Sequence, residues 1–239
     1  MNLKFILTFA WFYGWSGLKR GPVYVLSYLS LPLSLLLLVF IISRGELLSY
    51  GIIGGMIAVV ASNALSLVSD NAFFKLELRM IDLLVATEVG PVDYMIGLML
   101  GDLVFSFPGI VLYIILGIIL KVFPLIEIPP IFGVLILVMF STSSLGIITS
   151  SRLKHVRHSW GLSSFLSIVF TIIPPLYYPY QILPKIILYI LMATPVTPAS
   201  VIVQSGLDGP STMSSVAVLL LETALFTICA RYLTQWEEK

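Results

Sequence analysis

DNAFFKLELRMIDLLVATEVGPVDY, residues 70–94, is the longest charged interval in a chain that is otherwise 59% hydrophobic and only 10% charged. It holds five acids, Asp70, Glu77, Asp82, Glu88 and Asp93, against Lys75 and Arg79, a local charge of −3 where the whole chain carries +1. Soluble domains carry roughly a quarter charged residues, so this composition defines an integral membrane protein. Its 239 residues give room for about six helical spans of ~20 residues and leave little for a soluble catalytic domain. A single membrane domain, residues 1–239, is expected, and its near-zero net charge gives no reason to expect a nucleic-acid partner. The single cysteine, Cys229, excludes an intrachain disulfide and a cysteine metal cluster.

Working outward, residues 2–17 mix Lys4 with Trp11, Phe12, Tyr13 and Trp15 and are followed by Lys19 and Arg20, which suits a retained interfacial helix over residues 1–20. Spans are expected at about 23–42 and 47–68, joined by a tight turn at 43–46. A third runs over about 95–120, interrupted by Pro108 and able to tilt or kink. The fourth covers 131–150, and a basic link with Arg152, Lys154 and Arg157 leads into a fifth that starts near Trp160 and stops at Pro174-Pro175. Residues 177–212 contain an apolar run, 183–193, too short to cross a bilayer, which predicts a re-entrant or interfacial helix pair. The sixth span is about 213–233. Placing the N-terminus in the cytoplasm puts ten Lys and Arg inside and three, Arg44, Lys121 and Lys185, outside. Both termini and residues 70–94 are therefore expected on the cytoplasmic side, and residues 177–212 on the opposite face.

As one continuous helix, the opening stretch is amphipathic. Phe73, Leu76, Met80, Leu83 and Leu84 gather on one side, with Lys75, Arg79 and Asp82 opposite. Glu77 is the exception, at about 40° from Phe73 among the apolar residues, where an unpaired carboxylate is costly. Such a helix is either a solvated connector between two spans or a docking element for a cytoplasmic partner.

The run ELRMIDLLVATEVGPVDYMIG resembles the segment between the second and third spans of type-2 ABC exporter permeases. Glu77, Asp82, Leu83, Leu84, Ala86, Thr87, Pro91, Asp93 and Tyr94 match that pattern. Arg79-Met80 and Glu88 depart from it, replacing the Gly-Thr and proline that usually bend the segment. PPLYYPYQILPKIILYILMATPVTP is similar to the outward half-helices of the same family, through Tyr178, Pro179, Leu183, Pro184, Pro195 and Thr197. The resemblance implies an all-α membrane protein of six transmembrane helices, with an interfacial N-terminal helix, a cytoplasmic coupling helix over 70–94 and re-entrant half-helices before the last span. It implies a permease of the cell membrane, paired as a homodimer or heterodimer, with Phe73, Phe74, Glu77, Asp82, Leu83, Leu84 and Thr87 docking on cytoplasmic ATPase subunits that bind the ATP and Mg. It further implies a path along the first, second and fifth spans and an extracellular gate at Tyr178, Pro179, Leu183 and Pro184.

The chain itself contains no G-x-x-x-x-G-K-[ST] phosphate loop, so ATP hydrolysis is expected in a separate subunit. Two acids fall inside spans, Asp102 and Glu222. Intramembrane carboxylates face cavities or bundle interiors and mark substrate or ion paths, although hydrogen bonding to a neighbouring helix accounts for many. They are the substrate-path candidates and, in a rival reading, the ion site of a secondary carrier. A membrane enzyme or assembly subunit is the other rival, although no nucleophile–base spacing supports a hydrolase. Gly51-x-x-x-Gly55 and Gly97-x-x-x-Gly101 permit close helix approach, within one subunit or between two. His155 and His158 have no companion ligands and are expected to join a positive cluster facing lipid headgroups. Drugs, lipids, lipid-linked glycans and peptides all suit so apolar a path.

Overall fold

The structure is a computed structural model and describes residues 2–19, 22–206 and 209–234. The expected ends of the interfacial helix and of the chain, with Arg20 and Lys239, lie outside the described residues. Among the described residues, ten α-helices run in chain order: α1 Leu3–Lys19, α2 Pro22–Ile42, α3 Leu48–Leu76, α4 Met80–Val85, α5 Pro91–Ile119, α6 Ile128–Ser151, α7 Val156–Ile172, α8 Lys185–Leu191, α9 Val196–Ser205 and α10 Thr212–Leu233. Short 3-10 turns, Leu125–Glu127 and Tyr180–Ile182, precede α6 and α8, and no strand occurs among the described residues.

Five of these elements are long and apolar enough to cross a membrane: Val25–Ile42, Leu48–Leu76, Pro91–Ile119, Leu125–Ser151 and Thr212–Leu233. The protein is therefore a multi-pass, all-helical membrane protein. The expected fifth span is α7, whose 17 residues reach only about 25 Å. Pro174-Pro175 stops it at one end and the turn before Val156 at the other.

The bundle is organised around α3. It packs on α2, α5, α6, α7 and α9, and 89% of its apolar window is buried, against 11% for α2 and 17% for α10. Sequence hydropathy alone places the end of this span near Val68, but the helix continues to Leu76. The extension is possible because each polar residue finds a partner in the bundle. Asp70 accepts from Tyr13, Asn71 donates to Ser150 and accepts from Tyr94, and Lys75 reaches the Ser151 carbonyl.

The α1 helix lies along α5, with Ile6, Phe9, Ala10 and Gly14 buried. Gly97 and Gly101 of α5 make this possible, since a Cβ on Gly101 would lie 2.7 Å from the Tyr13 ring and 3.1 Å from the Ala10 carbonyl. That small-residue pair therefore serves packing within the chain. The opposite side of α1 exposes Leu3, Leu7, Trp11 and Trp15, one stripe at four-residue spacing. Pro108 does not break α5, which runs unbroken for 29 residues. One turn before that proline, the Tyr28 hydroxyl of α2 donates to the Phe105 carbonyl at 3.3 Å, which ties α2 to α5.

Candidate functional site

The predicted docking residues do not share one helix. Phe73 and Phe74 sit on the last turn of α3, Glu77 caps that helix, and a bend at Arg79 separates it from α4. Arg79 is left-handed, with φ 46°. That conformation is the one glycine adopts freely, and an L side chain pays about 1–2 kcal/mol for it. The bend thus persists without the residue that would make it cheap. Because the helix ends here, the single-helix wheel fails for Glu77, whose side chain is exposed and not set among apolar residues.

Past the bend, α4 buries Ile81 and leaves Asp82 and Leu83 outward, Leu83 at 69% exposure. Asp82 occupies the first turn of α4, where a negative charge suits the helix N-terminus. Leu84 is half-buried, while Thr87 is exposed and bonds only locally, to the Leu84 carbonyl at 2.7 Å. Phe73, Leu78, Leu83 and Val85 together form an exposed apolar set at this end of the molecule. Asp93 closes the segment by accepting the Gly90 N–H at 3.4 Å at the start of α5, behind Pro91.

Beneath this segment lies a buried polar layer. The Tyr13 hydroxyl donates to Asp70 Oδ2 at 2.5 Å. Burial, and then the Asp70 carboxylate beside it, hold that phenol well above the usual tyrosine range, so it remains the proton donor of the pair. Tyr94 donates to Asn71 at 2.9 Å and Asn71 to Ser150 at 2.7 Å, which ties α5, α3 and α6 together. Asp102 is wholly buried in the same region, and neither of its oxygens has a hydrogen-bond partner among the described residues. Glu222, on α10, likewise has no partner among the described residues. The structure does not bring these two acids together: α5 packs chiefly on α1 and α3, and α10 on α6 and α9.

A groove of about 420 Å³ opens between α2, α3 and α7. Ser27 and Tyr28 line it from α2, Ser62, Asn63 and Ser66 from α3, and Ser163, Ser164 and Ser167 from α7, with Phe105 of α5 at its base. Among the described residues, no charged side chain lines it. Ser163 donates to the Leu65 carbonyl at 3.1 Å, and Asn63 donates to Ser106 at 3.0 Å. Sequence reasoning missed these residues. Their signal was present as hydroxyls at four-residue spacing, Ser62 with Ser66 and Ser163 with Ser167, which stack on one helix face.

At the far end of α7 the chain turns through Pro174 and Pro175. The segment that follows is tied down by Gln204 of α9, another residue that sequence reasoning missed. Its Nε2 donates to the Pro175 carbonyl at 2.7 Å, to the Tyr178 carbonyl at 3.2 Å and to Ser200 at 2.8 Å. Its Oε1 accepts the Tyr180 N–H at 3.1 Å. Ser200 also donates to the Pro175 carbonyl, at 2.6 Å. Of the predicted gate, Tyr178 bonds back to the Ile173 carbonyl at 2.8 Å, Pro179 and Leu183 bracket the 3-10 turn, and Pro184 starts α8. With 7 and 10 residues, α8 and α9 are both too short to span a bilayer. The α9 helix is largely buried against α3, α6 and α10, whereas α8 exposes Ile186, Tyr189 and Ile190.

No family model, no curated protein and no solved structure matches this chain.

Proposed function

We propose that this chain is the membrane subunit of an ATP-driven exporter of the type-2 ABC class, working with a separate ATPase and paired with a second permease, identical or related. The observation that carries the reading is the groove between α2, α3 and α7. These are the first, second and fifth spans of a six-span scheme in which α7 is the short crossing, and they are the spans that the sequence resemblance assigns to the path. Hydroxyls and one amide within an apolar bundle suit an amphiphilic substrate whose polar part is neutral. A groove left open at the side of one subunit is what a second subunit would close.

The exposed set Phe73, Leu78, Leu83 and Val85, flanked by Glu77 and Asp82, supports docking of the ATPase, with apolar contact supplying area and the acids setting register. The ATPase would bind ATP and Mg. Its closure would be transmitted through the α3–α4 bend to the groove, and Tyr178, Pro179, Leu183 and Pro184 would border the outward exit. In this reading both termini lie in the cytoplasm and the protein in the cell membrane. The test is reconstitution of the permease with its ATPase in vesicles. Glu77→Ala, or a polar pair at Leu83 and Leu84, abolishes coupled ATP hydrolysis while insertion remains normal. Normal coupling in those variants rules out the docking role.

Asp102 favours a second reading, a carrier driven by an ion gradient, because a wholly buried carboxylate without a hydrogen-bond partner among the described residues is the feature such carriers use. Gradient-driven flux without ATP, lost in Asp102→Asn, would establish that reading and displace the first.

A further inference from the structure

The basic link after α6 folds against the end of α3 and creates a site that the exporter reading does not use. Lys75, on the last turn of α3, donates to the carbonyl of Ser151, the last residue of α6, at 3.4 Å. Arg152 and Lys154 follow directly, and the three cations line one cavity of about 700 Å³. Among the described residues, no acid lines it. Among the described residues neither Arg152 nor Lys154 makes an ion pair, and the Lys75 contact is a long, single hydrogen bond. Helix C-termini account for one cation each at the ends of α3 and α6, but Lys154 belongs to neither helix. Three like charges facing one space repel each other unless an anion enters.

The rest of the lining identifies the anion. Leu76, Leu153 and Leu233 complete the wall. Leu76 ends α3, Ser151 ends α6 and Leu233 ends α10, and all three helices meet the length and hydropathy of membrane spans. The cavity therefore lies at the ends of three apolar spans, with cations and leucines sharing one wall. We infer that Lys75, Arg152 and Lys154 bind the phosphate of an anionic phospholipid from the adjoining leaflet, which seats its chains against Leu76, Leu153 and Leu233 and braces the α3–α6 seam.

The full-length protein, purified in detergent, is titrated with phosphatidylglycerol, phosphatidylcholine or inorganic phosphate, and bound molecules are counted by native mass spectrometry. Phosphatidylglycerol is retained at least about tenfold better than phosphatidylcholine, and millimolar inorganic phosphate does not displace it. A juxtamembrane cation contributes about fivefold. Lys154→Gln, an exposed residue with no ion pair among the described residues, therefore lowers retention about fivefold, and the combined Lys75→Gln, Arg152→Gln and Lys154→Gln variant lowers it more than tenfold. A control with the same loss of charge at Arg44, Lys121 and Lys185 keeps wild-type retention, and so does the charge-preserving Arg152→Lys. Equal retention of the two lipids overturns the site, as does an equal drop in both triple variants. Displacement by inorganic phosphate shows a soluble-anion site and overturns the lipid. Should the triple variant fail to fold, unchanged retention in Lys154→Gln still refutes the proposal.

Discussion

The two segments that interrupt the spans are built in opposite ways. Residues 77–90 are held by local bonds: Leu83 to Arg79, Thr87 to Leu84, Val89 to Thr87 and Gly90 to Asp93. Residues 174–206 and 209–211 are held by bonds between positions far apart in the chain, from Gln204 and Ser200 to the 175–180 turn and between Tyr180 and Ser211. The first exposes Leu78, Leu83 and Val85, whereas the second buries Leu176, Tyr177, Val196 and Ala199. A segment whose bonds are local can shift as a unit without breaking the bundle, and one stitched across 24 to 31 residues cannot. In the proposed exporter, 77–90 would be the segment that receives force, and the cross-stitched region the fixed frame.

The largest effect is expected where the frame is cut. Gln204→Leu leaves the Tyr178 carbonyl and the Tyr180 N–H short of a partner, while the Pro175 carbonyl keeps its bond from Ser200. At about 1–3 kcal/mol for each group, thermal unfolding of the purified chain should show a loss of about 2 kcal/mol or more, and an unchanged transition would remove the contrast. Gly54→Val comes next. A Cβ there would lie 2.3 Å from the Leu176 carbonyl oxygen, which is backbone and cannot swing away. Overpacking of this kind costs about 1–3 kcal/mol, read in the same unfolding experiment.

In the locally bonded segment the signs and sizes differ. Arg79→Gly relieves the left-handed strain and is expected to stabilise by about 1 kcal/mol, and destabilisation would mean that the Arg79 side chain contributes more than its backbone costs. The smallest effect on stability belongs to Leu83→Gln, within about 0.5 kcal/mol because the side chain is exposed. Amide hydrogen exchange sharpens the whole comparison: residues 78–90 should exchange faster than 196–204, and the reverse order would contradict it.

Much of this fold is legible in the sequence, because a bilayer imposes one requirement, about twenty apolar residues, that hydropathy reads directly. α2, α5, α6 and α10 fall within a few residues of their expected places. The end of α3 did not, since Asp70, Asn71 and Lys75 look like an exit from the membrane until Tyr13, Ser150 and the Ser151 carbonyl are known to meet them. α7 was legible as a segment ending at Pro174-Pro175 but is shorter than the five helices long and apolar enough to cross a membrane. The bend after α3 was expected to suffer from the loss of glycine, yet it forms with Arg79 in glycine's conformation. The groove and the Gln204 hub were not legible. Hydroxyls on α2, α3 and α7 become one surface only when three helices separated by up to about a hundred residues pack together, and a lone Gln in the apolar run of α9 gives no sign of what it will bind.

The most direct test of the proposed role is cross-linking from residue 83. The native cysteine is removed by Cys229→Ser, Leu83→Cys is introduced, and the variant is purified from its native membrane after treatment with a short bifunctional reagent, with and without ATP. The account predicts a cross-linked subunit that carries a G-x-x-x-x-G-K-[ST] loop, hydrolyses ATP, and changes its cross-linking yield with nucleotide. A protein that transports with no such subunit at residue 83 would contradict it.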